Sequence, residues 1–362
     1  MNLEKNTMNT NIQSEQLLDA EQMIISIKPE FETLGMQELK SVDSQHKLIT
    51  WFDQGIGHIQ LSAGFNRLAK HFLDNKPIYI QHVSPIHTSV QLAKKEADLE
   101  AILKSVNTIS SILDKNKSFS VQSRFIDPSV ERPYKRFEVN KIVSEAIKEK
   151  GYALHVQKPE QIISIVFFES QAFIGISTAE ANLSDWSGGQ HRFAQEKDQI
   201  SRAEFKLLEA MDVFDIQLPE KCTALDLGAA PGGWTRVLLQ HNATVYAVDP
   251  ANLDRVFKKN PKVKHFKETA QLFFKKDVGT KFDIVVNDMR MDTIESVELM
   301  GEAKKLLKAN SLMILTLKLP KKNVKNRVDQ AISTLKKWYE VLGVKQLFHN
   351  RSEVTIYMKN RI

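Results

Sequence analysis

The chain has 362 residues, 42% hydrophobic and 26% charged, with a formal net charge of +6. This length suits about two or three domains of ordinary soluble composition, and the positive excess fits a polyanionic partner. The single cysteine, Cys222, excludes an intrachain disulfide framework and a cysteine-cluster metal site. No run of about 18 apolar residues occurs, and the opening segment lacks an apolar h-region, so a cytoplasmic protein without a membrane partner is expected.

In chain order, residues 1–21 are polar and read as a flexible tail. Residues 22–90 alternate as β-α-β-β-α-β, with Met23–Ile27, Lys47–Phe52, His58–Leu61 and Ile78–Val83 as strands, the order of a ferredoxin-like platform. Residues 91–117 carry apolar side chains at helical spacing (Leu99, Ile102, Leu103, Val106, Ile109) and read as a connecting helix. Residues 118–178 form a second α+β unit: a strand at Ser118–Arg124, a helix ended by Gly151, and strands at Leu154–Val156, Ile162–Phe168 and Ala172–Ile176. Residues 179–200 read as a linker, whose Trp186, His191, Arg192 and Phe193 either grip RNA or pin the linker to a neighbouring domain. From residue 201 to 362 the pattern is α/β, with strands near 223–227, 244–248, 282–287, 311–317 and 353–358. The expected fold is a doubly wound sheet with one antiparallel edge.

The stretch from Thr223 to Asp249 is a βαβ unit. An apolar strand breaks at Gly228, an Ala-Ala-Pro-Gly-Gly turn follows, and a helix begins near Trp234. Gly228, Gly232 and Gly233 allow backbone to approach a ligand, and the helix start presents N–H groups. Asp249, at the tip of the second strand, can accept from ribose hydroxyls. The unit reads as a nucleoside-cofactor pocket, and its glycine spacing disfavours NAD.

Two family resemblances follow. Residues 118–178, with Phe-Ser-Val-Gln-Ser-Arg, the following helix and the closing Phe-Ile-Gly-Ile-Ser, resemble a THUMP domain, which implies RNA binding. Residues 201–358 resemble the FtsJ-like ribose 2′-O-methyltransferases, and most closely their THUMP-containing bacterial members, which methylate a cytidine of 23S ribosomal RNA. The match lies in Ser-Arg-Ala-Glu-Phe-Lys-Leu-Leu-Glu-Ala at 201–210 and Leu-Gly-Ala-Ala-Pro-Gly-Gly-Trp-Thr at 227–235. It continues in Asn-Asp-Met at 287–289, Leu-Lys-Leu-Pro at 317–320 and Arg-Ser-Glu-Val-Thr at 351–355. The resemblance implies a Rossmann-like domain binding S-adenosyl-L-methionine, monomeric and acting on RNA. Its catalytic tetrad falls on Lys206, Asp288, Lys318 and Glu353. Lys318 would be the base, Asp288 its orienter, and Lys206 and Glu353 would position the ribose. Ala230, Pro231, Gly232, Gly233 and Trp234, with Gly228 before them, would hold the methionine end of the cofactor, Asp249 its ribose and Thr269 its adenine side, with Asp288 bordering it. Relatives often carry an acid where this chain has Thr269.

A lysine base for a ribose hydroxyl is expected to have its pKa lowered toward neutrality by burial and by a second ammonium nearby. Base N-methylation is disfavoured because Asn287-Asp288-Met289-Arg290 is not Asn-Pro-Pro-aromatic, and C5 methylation because Cys222 opens a strand. Basic residues between 304 and 327, and between 255 and 281, offer an RNA surface. A tRNA substrate, or a noncatalytic RNA-binding or ribosome-assembly role, remains the alternative.

Overall fold

The computed structural model describes residues 19–361 and divides into two compact units that meet in sequence at Gln190 and His191. Residues 1–18, most of the expected tail, lie outside the described residues. Residues 19–21 are built into the first unit: Ala20 is buried and the Asp19 carboxylate accepts the Asn66 N–H at 2.9 Å. Among the described residues no helix is long and apolar enough to cross a membrane.

The first unit opens with β1 (Gln22–Ile27), α1 (Glu32–Val42), β2 (Lys47–Asp53), β3 (Ile56–Gln60), α2 (Phe65–Asp74) and β4 (Ile80–Ile86). Its antiparallel sheet runs β2-β3-β1-β4. A second sheet follows from β5 (Thr88–Gln91), α3 (Ala97–Ile109), β6 (Phe119–Phe125), α4 (Arg136–Glu149), β7 (Gln161–Phe168) and β8 (Gln171–Thr178), in the order β5-β8-β7-β6. Three expectations change here. α3 is no free connector, because Ile102, Val106 and Ile109 share one buried cluster with Phe119, Val143 and Ile163. Leu154–Val156 is not a strand; Leu154 makes a single bridge to Phe119 and Val156 is exposed. The two sheets also form one body, with Ile24, Phe52 and Ile86 packed on Val166 and Phe173. They come so close that a Cβ on Gly175 would lie 1.8 Å from the Pro85 carbonyl oxygen.

The expected linker 179–200 divides between the units. Asn182 is fully buried in the first, its carbonyl accepting the Val83 N–H. In the second, the His191 carbonyl accepts from the His349 ring at 2.7 Å and Glu196 pairs with Arg236.

The second unit comprises α5 (Glu204–Val213), β9 (Thr223–Leu227), α6 (Gly233–Gln240), β10 (Thr244–Val248), β11 (Val263–Phe266), α7 (Ala270–Phe273) and β12 (Phe282–Asn287), then α8 (Thr293–Ala303), β13 (Leu307–Lys318), α9 (Val324–Leu335), β14 (Tyr339–Lys345) and β15 (Glu353–Asn360). The sheet order is β11-β10-β9-β12-β13-β15-β14. The five strands from β11 to β13 are parallel; β15 runs antiparallel to both its neighbours, so the reversed strand is internal and not the edge. β11 and β14 were not expected. Neither shows a buried apolar run, as edge strands with one solvated side need not. Strand order reverses between β9 and β12, and ligands of such sheets bind beyond the carboxyl ends of strands at that point. The glycine turn and Asp288 therefore lie side by side, with Leu227 paired to Asn287.

Ile314, fully buried in β13 between Val286 and Tyr357, is a seam of this core. Ile314→Ala should destabilise the unit by about 2–5 kcal/mol in urea unfolding.

Candidate active site

The four tetrad residues, scattered over 148 positions of sequence from 206 to 353, meet at one end of the sheet. Lys206 reaches in from α5, Asp288 follows β12, Lys318 ends β13 and Glu353 opens β15. Lys318 and Glu353 are direct cross-strand partners. The Lys206 ammonium donates to Asp288 Oδ1 at 3.1 Å, Asp288 Oδ2 at 3.3 Å and Glu353 Oε1 at 3.1 Å. The Lys318 ammonium donates to Asp288 Oδ1 at 3.1 Å and Glu353 Oε1 at 2.8 Å. Side-chain exposure is between 9% and 22%, so the charges are half screened from water.

The surrounding backbone fixes each member. Arg351 N–H donates to Glu353 Oε2 at 2.8 Å, and the Thr293 hydroxyl donates to the Lys318 carbonyl at 2.8 Å. Buried Asn287 accepts the Met289 N–H at 2.9 Å and so closes the turn that carries Asp288. Glu204 accepts the N–H groups of Ile200 and Ser201 and pairs with Arg236 at 2.8 Å, which anchors the start of α5 to α6.

The charge states correct one expectation. Burial does push the Lys318 ammonium down, but Asp288 and Glu353 outweigh it, and its pKa lies above the ordinary lysine value. Burial pushes Glu353 up, but the Lys318 hydrogen bond, the Arg351 N–H and the charges of both lysines take it down to about 2. The second ammonium does not lower Lys318, because the two carboxylates stand between the lysines.

On the cofactor side, Gly228 (φ 73°) and Gly232 (φ 119°) take left-handed backbone that other residues rarely adopt. A Cβ on Gly228 would meet the Met289 side chain at 2.3 Å, and one on Gly233 would meet Ser201 Oγ at 2.4 Å. Asp249 is tied to the turn: Ala230 N–H donates to its Oδ2 at 3.1 Å and Ala251 N–H to its Oδ1 at 2.7 Å. The Pro231 carbonyl accepts the Asp254 N–H at 2.8 Å. Trp234 is buried, and its indole N–H donates to the Ala203 carbonyl at 2.8 Å, so its ring braces α6 against α5. Thr269 caps α7, its hydroxyl accepting the Leu272 N–H. One residue earlier, Glu268 pairs with Lys276 through Oε2 at 2.7 Å, while its buried Oε1 has no hydrogen-bond partner among the described residues. A left-handed glycine turn, a strand-end carboxylate and an acceptor without a donor suit an amino-acid nucleoside such as S-adenosylmethionine.

Two site residues escaped the sequence reading. Asp226, in the middle of β9, is buried and accepts the Thr235 hydroxyl at 2.6 Å, joining the strand to α6. Burial, helped by the charges of Asp288 and Asp249, raises its pKa to about 7 against that hydrogen bond. Glu209 is buried on α5, three residues after Lys206, and accepts the N–H groups of Phe348 at 2.6 Å and His349 at 2.8 Å. It thereby ties the Lys206 helix to the segment leading into Glu353. Each is an acid interrupting an apolar run, which is the signal that could have found it.

The basic run 304–327 is not one surface. Lys304 and Lys305 lie in the turn before β13 and Lys308 near its start, whereas Lys318 ends it and Lys321 and Lys322 follow. A rise of about 3.3 Å per residue puts roughly 30 Å between the two groups.

Residues 199–347 match the model of the FtsJ-like methyltransferase family. This half is similar to FtsJ-like methyltransferases. The match covers the glycine turn, Asp249, Lys206, Asp288 and Lys318, and ends before Glu353. Ribosomal RNA large subunit methyltransferase M of Laribacter hongkongensis is 32% identical over 53% of this chain and 57% of its own. The protein of the same name from Salmonella arizonae is 29% identical over 59% and 61%. The chain thus spans about three-fifths of the length of these curated relatives. A solved structure, TrmN from Thermus thermophilus, aligns over 94% of this chain and 99% of its own at 13% identity and a TM-score of 0.37.

Glu209→Gln should cost the second unit about 1–3 kcal/mol, because a neutral amide accepts two backbone N–H groups less well. Hydrogen exchange at Phe348 and His349 should accelerate with it; unchanged protection there would remove Glu209 from this role.

Proposed function

We propose that the chain is an S-adenosylmethionine-dependent RNA ribose 2′-O-methyltransferase acting on 23S ribosomal RNA, with cytidine as the target. The observation that carries this reading is the tetrad: two ammonium groups and two carboxylates joined within 3.3 Å beside a glycine-turn nucleoside pocket. The FtsJ-like domain and the large-subunit RNA methyltransferases it resembles support the reaction and the substrate. The THUMP-like residues 118–178 would help hold the RNA.

S-adenosylmethionine, when bound, supplies a methyl group activated by its sulfonium charge. Ala230 to Trp234 would hold its methionine end, Asp249 the ribose hydroxyls, and Glu268, with Thr269 beside it, the adenine side. The 2′-hydroxyl of RNA is a weak acid and a poor nucleophile. Neutral Lys318 takes its proton as the oxygen becomes nucleophilic. The ammonium that results is the species Asp288 and Glu353 stabilise, which makes Lys318 a strong base present in a small neutral fraction. Lys206 holds both carboxylates in place from the opposite side. Alignment of the hydroxyl then supplies much of the acceleration.

The sign of the pH dependence follows. A base whose pKa is raised above the ordinary lysine value is protonated at neutral pH, so kcat on unmodified 23S RNA should rise about tenfold per pH unit between about pH 6 and 9. Lys318→Ala should be slower by roughly 10²–10⁴-fold and lose that slope. A wild-type profile flat over this range would pass the proton to a carboxylate and overturn Lys318 as the base.

A further inference from the structure

The tetrad is ringed by cations that the reaction itself does not use. Arg202 lies one helical turn before Lys206, Arg290 two residues after Asp288, Lys321 and Lys322 just after Lys318, and Arg351 two residues before Glu353. All five are exposed. They sit on four separate segments: the lead-in to α5, the β12–α8 loop, the β13–α9 loop and the β14–β15 loop.

The topology brings these segments together. β12 and β13 are parallel and β15 is antiparallel, so the ends of the first two meet the start of the third. The Lys206 contacts add the α5 lead-in. None of the five cations is in an ion pair among the described residues, whereas lysines elsewhere in the unit are paired, such as Lys276 with Glu268 and Lys308 with Asp283. Of the exposed acids at the start of α8, Asp292 spends its carboxylate on the Ile294 N–H at 2.8 Å, and Glu295 lies in the first helical turn. On the cofactor half of the same sheet edge Asp249 follows β10, and Glu268 follows β11 after exposed Lys267. The edge thus carries carboxylates where the cofactor's ribose and adenine would sit, and free guanidinium and ammonium groups where a polyanion would enter.

We propose that Arg202, Arg290, Lys321, Lys322 and Arg351 form a collar for the two phosphodiesters that flank the target ribose. The preferred substrate is then an internal nucleotide of a single-stranded RNA segment, in preference to a free nucleoside or a chain end. The collar rests on the ribose-methylation reading and adds the backbone contacts to it. A ribose lowered onto Lys318 carries a phosphate on each side, and cations on four surrounding segments meet both. Such contacts fix register and carry little base information. They should act on substrate affinity, and the tetrad on the chemical step.

The test compares wild type with Arg290→Ala, Arg351→Ala and the Lys321→Ala/Lys322→Ala double variant. Lys304→Ala, at the opposite end of β13, is the control for loss of charge alone. Methyl transfer to unmodified 23S RNA gives KM and kcat. Fluorescence anisotropy with a labelled oligocytidylate of about 12 nucleotides gives binding against salt without any turnover. The collar variants should raise KM severalfold with kcat little changed, and lower the slope of log affinity against log salt by about 0.7 for each cation removed. Lys304→Ala should leave the slope as it is. An unchanged slope in all three collar variants, or the same fall in Lys304→Ala, would overturn the collar. A wild type that binds the oligonucleotide through these residues yet methylates no RNA would keep the collar and sink the reaction; normal methylation with an indifferent salt slope would do the reverse.

Discussion

Lys206 and Lys318 stand on opposite sides of the same two oxygens. Two ammonium groups so close in a half-buried site would repel strongly, because the field between them is poorly screened. Asp288 Oδ1 and Glu353 Oε1 each bond to both lysines, and that sharing turns repulsion into cohesion. Removing one member leaves another partly buried charge without its counterion, which is costly. Four elements therefore depend on this cluster for their mutual position: α5, the turn after β12, the end of β13 and the start of β15. Glu209 and Glu204 hold α5 to that arrangement from behind.

In the proposed reaction the same cluster would set the chemistry. A lysine lowered to near neutrality would be an abundant but weak base. The two carboxylates hold Lys318 in the opposite regime, so that as the proposed base it would be scarce when neutral but strong. Asp226, buried beneath the glycine turn, shows the converse effect: burial and neighbouring acids favour its neutral form. The carboxylates of this edge are thus differentiated by their surroundings, Glu353 ionised between lysines and Asp226 close to neutrality in the sheet.

The sequence made the Thr223–Asp249 unit legible because its strands are short apolar runs bounded by glycine and aspartate. The tetrad was legible only through resemblance, since each member alone is an unremarkable strand-end or helix charge. β11 and β14 were missed because edge strands such as Val-Lys-His-Phe bury too little to leave a periodic trace. The internal place of β15 depends on long-range pairing, which local pattern does not encode. The direction of the Lys318 shift was misjudged for a related reason. Burial can be guessed from an apolar strand, but two carboxylates lying between two lysines is a fact of three-dimensional spacing. The run 304–327 looked like one basic surface because sequence proximity hid a long strand inside it.

The most direct measurement is the position of the methyl group. 23S RNA labelled by the protein from methyl-labelled S-adenosylmethionine would be hydrolysed completely in alkali and its fragments separated. A methylated 2′-oxygen cannot attack the adjacent phosphate, so the account predicts label in an alkali-resistant dinucleotide. Label recovered in mononucleotides would place the methyl group on a base and contradict the role given to Lys206, Asp288, Lys318 and Glu353.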